Sequence, residues 1–253
     1  MKFAILGAGM TGLVVANTLM KNGFTNIDIY ERKKSLPDPK GFMVLHDDFG
    51  YKDKLDCKTF PVYQMGDEEK YKEKLGYGDN VNCSWKSGLN KYYMKGYNPF
   101  QLAEILYTTW MNKIIREEID KNKAEIICND YDHVFSTIPP MSYSDEVQTE
   151  EVFIFVRESA GNGHMIGVKY NGRSNPLYAR QIRLWGKLIT EYCVDYYHLD
   201  LKRVTKPIRV TKVPDLWYGN MIPVGRRGLW NKHIMLHHVQ NRIIGMLNEG
   251  VLI

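Results

Sequence analysis

The first 31 residues constrain the fold of this chain more than any other stretch. An apolar run over residues 2–6 is followed by a glycine-rich turn over residues 7–12 and by a helical pattern that Gly23 closes. A second apolar run, residues 27–30, ends at Glu31. The order of strand, glycine turn, helix, strand and acid is that of a βαβ unit that binds a dinucleotide.

Each part of this unit has a physical task at a dinucleotide. Gly7 lets the chain leave the strand through a tight turn, Gly9 has no Cβ and admits a pyrophosphate, and Gly12 lets the helix pack closely on the sheet. The helix N-terminus offers N–H groups and a partial positive charge to the phosphates. Glu31 follows at the spacing at which a carboxylate meets a ribose hydroxyl. The residues predicted here to bind the cofactor are Gly7, Ala8, Gly9, Met10, Thr11, Gly12, Glu31 and Arg32.

The positions after the glycines resemble the N-terminal fingerprint of the FAD-binding, glutathione-reductase-like flavoproteins. The run Gly12-Leu13-Val14-Val15-Ala16, followed by Leu19 and Gly23, carries this resemblance. The group includes the amine oxidases, protoporphyrinogen oxidase and UDP-galactopyranose mutase. In this chain the turn at residues 24–26 is one residue longer than usual, and the glycine pair that commonly follows the acid is missing. The resemblance implies FAD as the cofactor, and NAD(P) stays an alternative.

A strand pattern near the middle of the chain resembles a second part of the same cofactor domain. Residues 133–140 read His-Val-Phe-Ser-Thr-Ile-Pro-Pro. In the resembling flavoproteins a strand returns to the cofactor domain here and ends in a Thr-x-Pro turn near the FAD. The resemblance implies that Thr137 lies at the cofactor.

Residues 220–230 resemble the closing motif of these flavoproteins, which is a strand, then Gly-Arg-x-Gly and an aromatic residue, then a helix. The helix is predicted from about residue 232 to residue 247. The resemblance implies that Gly225 and Arg226 border the isoalloxazine or the pyrophosphate and that Trp230 lies near the ring.

Between these stretches the pattern predicts one helix and a β-rich region. Asn98 is a plausible N-cap for a helix that begins at Pro99 and continues to Ile119. Residues 124–128 are predicted as a strand, and Gly161-Asn162-Gly163 is predicted as a hairpin turn between two strands. Further strands are predicted over residues 176–183, 188–192 and 204–213.

The predicted fold class is α/β, a Rossmann-like FAD-binding domain with an inserted antiparallel β-sheet substrate domain. The cofactor domain is assigned to residues 1–45, 98–140 and 218–253, and the substrate-facing β region to residues 46–97 and 141–217. This β region resembles the substrate domain of the amine-oxidase-like and mutase-like flavoproteins, where a Pro-x-Tyr-Arg-like strand borders the substrate pocket. The candidate substrate residues are Tyr178, Arg180 and His164.

Composition excludes several other classes of protein. With 253 residues, 44% of them hydrophobic and 25% charged, the chain has an ordinary globular composition. Its four cysteines are widely spaced without a CxxC pair, which argues against a zinc ribbon or a redox dithiol. His233 and His237 stand one helical turn apart, but no third ligand is indicated, so no metal site is predicted.

The chain begins with a core strand and not a signal peptide, so a cytoplasmic location without a membrane partner is expected.

The resemblance implies an FAD-dependent oxidoreductase that abstracts a hydride from an amine- or hydroxyl-bearing carbon of a small-molecule or anionic substrate. No residue is identified as a catalytic base, and no oligomeric state is indicated. One alternative is a non-redox flavoenzyme of the nucleotide-sugar mutase type. Another is a flavin-dependent DNA-modification enzyme, because the net charge is +5 and the second half is rich in arginine. The last is a non-catalytic nucleotide-binding protein.

Overall fold

The computed structural model describes residues 1–35, 44–75, 85–161, 166–175, 178–193, 200–231 and 234–252. The chain divides into two compact units. The first comprises Met1–Leu55, Pro99–Glu150 and Pro207–Ile253, and the second comprises Asp56–Asn98 and Glu151–Lys206. The cofactor domain predicted from the sequence lies within the first unit apart from Asn98, and the functional assignment of the two units stays a prediction.

The elements follow one another in a mixed α/β order. The strands are β1 Phe3–Leu6, β2 Ile27–Tyr30, β3 Cys57–Gly66, β4 Lys91–Tyr97, β5 Ile114–Ile115, β6 His133–Ser136, β7 Gln148–Ala160, β8 Gly167–Gly172, β9 Tyr178–Leu184, β10 Lys187–Tyr192, β11 Lys202–Lys212 and β12 Met221–Pro223. The helices are α1 Met10–Lys21, α2 Glu68–Lys74, α3 Pro99–Trp110, α4 Lys121–Asp130, α5 Gly225–Gly228 and α6 Leu236–Asn248. The helices of the described residues include none long and apolar enough to cross a membrane.

The first unit is built on a parallel sheet with the strand order β12-β6-β1-β2-β5. The central strand β1 is fully buried, as expected for an apolar run in a parallel sheet that is covered on both faces. Leu6 lies opposite both Tyr30 of β2 and Ser136 of β6, so the carboxyl ends of these strands are level. The residues that follow the three strands therefore meet at one edge of the sheet.

The second sheet has the order β11-β7-β10-β9-β8-β3-β4. The pairs β3–β4, β8–β9, β9–β10 and β7–β10 are antiparallel, but β3 and β8 are parallel. The predicted inserted sheet is therefore present with mostly antiparallel pairs, and the parallel pair β3–β8 makes it mixed. A parallel pair needs a long crossover connection, and the many residues between β3 and β8 supply one.

The segment predicted as a strand over residues 124–128 is helical, in α4. Its N-cap is Asp120, whose carboxylate accepts a hydrogen bond of 2.9 Å from the backbone N–H of Lys123. Ala124 and Ile127, three residues apart, are buried on one helix face, while Ile126 is exposed. The β-branched isoleucines favour a strand locally. The N-cap and the three-residue spacing of the buried side chains favour a helix and decide the structure.

The predicted hairpin between β7 and β8 is wrong, because β7 pairs with β10. The hairpin lies between β9 and β10 and turns through Trp185 and Gly186, which have φ angles of 57° and 74°. Two successive positive φ angles are typical of the tight turns whose twist matches that of a hairpin. Residues 162–165 lie outside the described part of the chain.

Two predicted helices differ from the observed ones in their bounds. The helix predicted from Pro99 through Ile119 ends at Trp110, because Ile114 and Ile115 form β5 beside β2. The C-terminal helix begins only at Leu236 and is preceded by the short helix α5.

Candidate functional site

The glycine turn after β1 lies between the residues that follow β2 and those that follow β6. The backbone N–H of Gly7 donates to the carbonyl oxygen of Tyr30 at 2.8 Å. The N–H of Thr137 donates to the carbonyl oxygen of Leu6 at 2.9 Å. Glu31 and Thr137 are thereby brought to the same edge of the sheet as the turn.

The glycines of the turn differ in what surrounds them. A Cβ at Gly7, whose φ is 100°, would lie 2.5 Å from the Oγ1 of Thr137. A Cβ at Gly12 would overlap the carbonyl oxygen of Gly7, so helix α1 packs directly on the turn. A Cβ at Gly9 would meet no atom within 4 Å. The space above Gly9 is therefore open at the point where the motif would admit a pyrophosphate.

Glu31 is held in place by backbone groups. Its Oε2 accepts a hydrogen bond of 3.0 Å from the N–H of Ala8, and its Oε1 accepts one of 2.9 Å from the N–H of Lys33. A carboxylate has about four acceptor positions, so two of these remain for a hydroxyl. Arg32 instead forms an exposed ion pair of 2.7 Å with Glu118, and its role at a cofactor stays a prediction.

Thr137 fastens the turn from the side of β6. Its hydroxyl donates to the carbonyl oxygen of Leu6 at 2.8 Å and lies 3.2 Å from that of Gly7. The hydroxyl has a single proton, which it donates to Leu6, so toward any other group it can act only as an acceptor. The predicted contact between Thr137 and a cofactor stays a prediction.

The C-terminal stretch packs against both the glycine turn and β6. A Cβ at Gly225, whose φ is 75°, would overlap the side chain of Thr11 in the first turn of α1. A Cβ at Gly228 would overlap the carbonyl oxygen of Ser136. The three stretches that the sequence singled out are therefore contiguous within the first unit.

Trp230 and Arg226 follow this contact. Trp230 is buried with a φ of 49°, and its indole Nε1 is enclosed without a hydrogen-bond partner among the described residues. A bound acceptor would satisfy this donor, which is costly to bury unpaired. The Nε1 of Trp110 on α3 shares this property, so the orphaned donor does not by itself mark a site. The Nη2 of Arg226 lies 3.8 Å from the sulfur of Met235.

A histidine cluster, of which the sequence analysis singled out only His237, lies in the same unit. The rings of His46 and His237 are 6.0 Å apart, and those of His237 and His238 are 4.3 Å apart. Burial lowers the pKa of His46, and burial together with the neighbouring imidazoles lowers the pKa of His237. No local pattern links His46 to α6, so sequence reasoning missed it. The described residues contain no group of three that could hold a metal ion, and His233 lies outside them.

Of the candidate substrate residues, Arg180 is engaged in a buried ion pair of the second unit. Its Nε and Nη2 donate to the two carboxylate oxygens of Glu191 at 2.9 Å and 2.7 Å, and the Nζ of Lys206 lies 3.2 Å from the same carboxylate. Burial alone would raise the pKa of Glu191, but the two cations lower it to about 2. The geometry favours a structural role for Arg180, and its contact with a substrate stays a prediction.

Tyr178 stands two residues before Arg180 on the same strand. Its carbonyl oxygen accepts a hydrogen bond of 2.9 Å from the side-chain amide of Asn171. Burial raises the pKa of its phenol, so the hydroxyl is neutral at physiological pH. The third candidate, His164, lies outside the described residues.

Comparison with known proteins gives structural matches only. No protein-family model matches the sequence, and no curated protein matches it. The structure of reduced UDP-galactopyranose mutase matches with a TM-score of 0.60 and 11% identity, over 99% of this chain and 95% of that chain. The tryptophan 6-halogenase SttH from Streptomyces toxytricini matches with a TM-score of 0.55 and 9% identity, over 98% and 72%. A 2-methyl-3-hydroxypyridine-5-carboxylic acid oxygenase matches with a TM-score of 0.54 and 12% identity, over 98% and 82%.

This chain has the fold of these enzymes. The mutase is one of the flavoproteins that the N-terminal fingerprint resembles, so the predicted α/β fold with a Rossmann-like unit is confirmed. At these identities the likeness concerns the fold and leaves the reaction open.

Proposed function

We propose that this chain binds FAD at the carboxyl edge of the parallel sheet and acts as an FAD-dependent oxidoreductase. One observation carries the proposal. The glycine turn, Thr137 and Gly225 are contiguous, yet the space above Gly9 is open. A pyrophosphate binds to a turn whose backbone is held rigidly and is also open to the ligand. The glycine turn meets both conditions.

Different residues around the turn would contact different parts of the cofactor. Helix α1 begins directly after Gly9 and has no acidic residue in its first turn, so its N–H groups and dipole favour a pyrophosphate without opposition. Glu31 has acceptor positions left for the ribose hydroxyls. The segment from Gly225 to Trp230 would border the ring system, with the indole N–H of Trp230 as a donor. FAD itself, when bound, supplies a ring that accepts a hydride, and the protein supplies binding, orientation and electrostatics.

The reaction proposed is hydride abstraction from an amine- or hydroxyl-bearing carbon. Its support is the resemblance to the amine oxidases at the glycine turn, residues 133–140 and residues 220–230. In such a reaction the chain holds the substrate carbon against the ring and excludes competing acceptors.

The test begins with the absorbance spectrum of the purified protein after incubation with FAD and gel filtration. Flavin absorbance at about 450 nm, a property of the cofactor, is expected to elute with the protein. Anaerobic addition of a panel of primary amines and alcohols should then bleach this band when the substrate is present. A protein that retains no flavin would refute the proposal and favour the non-catalytic alternative. Retention of NAD(P) in the parallel experiment would favour the other dinucleotide.

A non-redox flavoenzyme of the mutase type is the second candidate. Its support is the extent of the structural likeness to UDP-galactopyranose mutase, which includes nearly the whole of both chains. Turnover of UDP-galactopyranose that begins only after the bound flavin is reduced would favour this candidate over the oxidoreductase.

The DNA-modification alternative has less support, because two of the arginines that suggested it are held in ion pairs. Arg180 and Lys206 are paired with Glu191, and Arg209 is paired with Glu150. Paired cations release fewer counterions from a phosphate backbone. Fluorescence anisotropy with a labelled DNA duplex at low salt is expected to show only weak binding, and tight binding would restore this alternative.

A further inference from the structure

Side chains on one face of the second sheet line a pocket of about 190 Å³, all of it within the second unit. The register of the strands explains how the pocket forms. Tyr63 lies opposite Lys169, and Lys169 lies opposite Gln181. Directly opposite residues project from the same face of a sheet, so these three side chains form one row.

A second row runs beside the first on the same face. Gly167 lies opposite Arg183, and Arg183 lies opposite Leu188. A Cβ at Gly167 would lie 2.4 Å from the carbonyl oxygen of Pro61, so glycine at this position lets β8 lie close to β3. The two rows together line the pocket.

The pocket carries positive charge without a counterion. Lys169 and Arg183 both line it, and no carboxylate is among the described residues of its lining. The described residues offer neither cation a hydrogen-bond or ion-pair partner. Arg180, the residue before Gln181 on β9, differs in this respect, because its guanidinium is paired with Glu191. Two unpaired cations in a concave, half-buried site attract an anion and repel each other in its absence.

The size and the other walls of the pocket limit what that anion can be. A protein cavity of roughly 150 Å³ admits a benzene molecule. A pocket of about 190 Å³ therefore holds one six-membered ring with a small charged substituent. Tyr63 and Leu188 offer aromatic and aliphatic surface to the ring, and the guanidinium of Arg183 has the fork geometry that matches a carboxylate or a phosphate.

We propose that this pocket binds a small aromatic anion, with Arg183 and Lys169 on the anionic group and Tyr63 and Leu188 beside the ring. The inference does not depend on FAD, because the pocket lies within the second unit and the glycine turn within the first. A failure to bind flavin and a failure to bind the anion are thus separate results.

The test is calorimetric titration of the full-length protein with benzoate, phenyl phosphate and the neutral analogue benzamide. Benzoate or phenyl phosphate is expected to bind at least about tenfold more tightly than benzamide, since charge-assisted bonds to arginine are the strong ones. The comparison of the two anions decides between a carboxylate and a phosphate ligand. If benzamide binds as tightly as both anions, or if none of the three binds, the proposal is wrong.

Two variants locate the binding on the sheet face. Arg183→Gln is expected to weaken anion binding by about tenfold or more, because it removes the charged fork. Arg157→Gln is the matched control, since Arg157 lies opposite Thr190 on the same sheet face but outside the pocket lining. An equal loss in both variants would overturn the assignment to this pocket. The benzamide comparison uses the unmodified protein and stays decisive even if Arg183→Gln does not fold.

Discussion

Gly9 and Gly12 stand in one turn, but the packing of the protein excludes a side chain at only one of them. At Gly12 a Cβ would overlap the carbonyl oxygen of Gly7, so the packing of the protein itself requires glycine. At Gly9 a Cβ would enter open space, and the φ of −68° suits any residue. The proposed pyrophosphate would make glycine necessary at this position, because it would approach the backbone closely.

Gly9→Val is therefore expected to fold and to lose FAD. The affinity should fall by at least about tenfold, because the side chain occupies the path of the pyrophosphate. The matched control is Gly245→Val in α6, where a Cβ also meets no atom within 4 Å. Spectra after incubation with FAD measure the loss, and circular dichroism checks the fold. Full flavin retention by Gly9→Val would contradict the proposed site.

Trp230 and Trp110 allow a second paired experiment. Both are buried, and both have an indole Nε1 without a partner among the described residues. Replacing either by Phe removes the orphaned donor and leaves a small cavity, so the two variants should lose similar amounts of unfolding free energy. Only Trp230→Phe is expected to lower the affinity for FAD, as measured by fluorescence titration. Equal affinities in the two variants would remove Trp230 from the cofactor site.

Helix α4 illustrates how a capping residue decides between two local structures. Asp120→Ala should lower the free energy of unfolding by about 1 kcal/mol, since it removes the acceptor for the N–H of Lys123. Asp130→Ala at the other end of α4 is the control. An acid near a helix C-terminus opposes the dipole, so this change should be neutral or slightly stabilising. Urea denaturation measures both variants, and an equal effect would argue against the cap.

The ion pair between β9, β10 and β11 should make the stability depend on pH. The pKa of Glu191 in the folded chain is about 2, below the ordinary value of 4.5. Its stabilising contribution is therefore present above pH 4.5 and is lost as the pH falls towards 2. Urea denaturation of the wild type and of Glu191→Gln at several acidic pH values should show a steeper loss in the wild type.

The same carboxylate also sets the cost of breaking the pair. Glu191→Gln leaves Arg180 and Lys206 without their counter-charge and should cost roughly 3–5 kcal/mol at neutral pH. Glu150→Gln, which breaks the exposed pair with Arg209, should cost far less, because solvent screens the attraction between these two groups. Similar losses in the two variants would show that burial does not govern the strength of these pairs.

Local patterns predicted some elements and failed for others, for physical reasons. Elements β1, α1 and β2 could be predicted because their apolar runs and the turn at residues 7–12 lie within one short stretch. The partner of β7 could not, because pairing with β10 is decided by the whole sheet. The same holds for the pocket on the second sheet, since Tyr63 and Lys169 are far apart in the chain and meet only through the β3–β8 pair.

For the molecule as a whole, FAD should act as a stabilising ligand. A ligand that binds only the folded state raises its stability by about 2.7 kcal/mol at 100 times its dissociation constant. The Tm followed by circular dichroism is therefore expected to rise with the FAD concentration in the wild type and to stay constant in Gly9→Val. A Tm that does not respond in the wild type would argue against FAD as the resident cofactor.

The contact between Gly225 and Thr11 joins segments that leave the ribosome at very different times. The residues that close the glycine turn from the other side are synthesised more than 200 positions after it. A nascent chain that stops before β12 has the turn, α1 and β6 without this closure. Cofactor capture is thus expected to follow synthesis of the segment that contains Gly225. Stalled chains of increasing length, incubated with FAD, should acquire flavin only once Gly225 has left the exit tunnel.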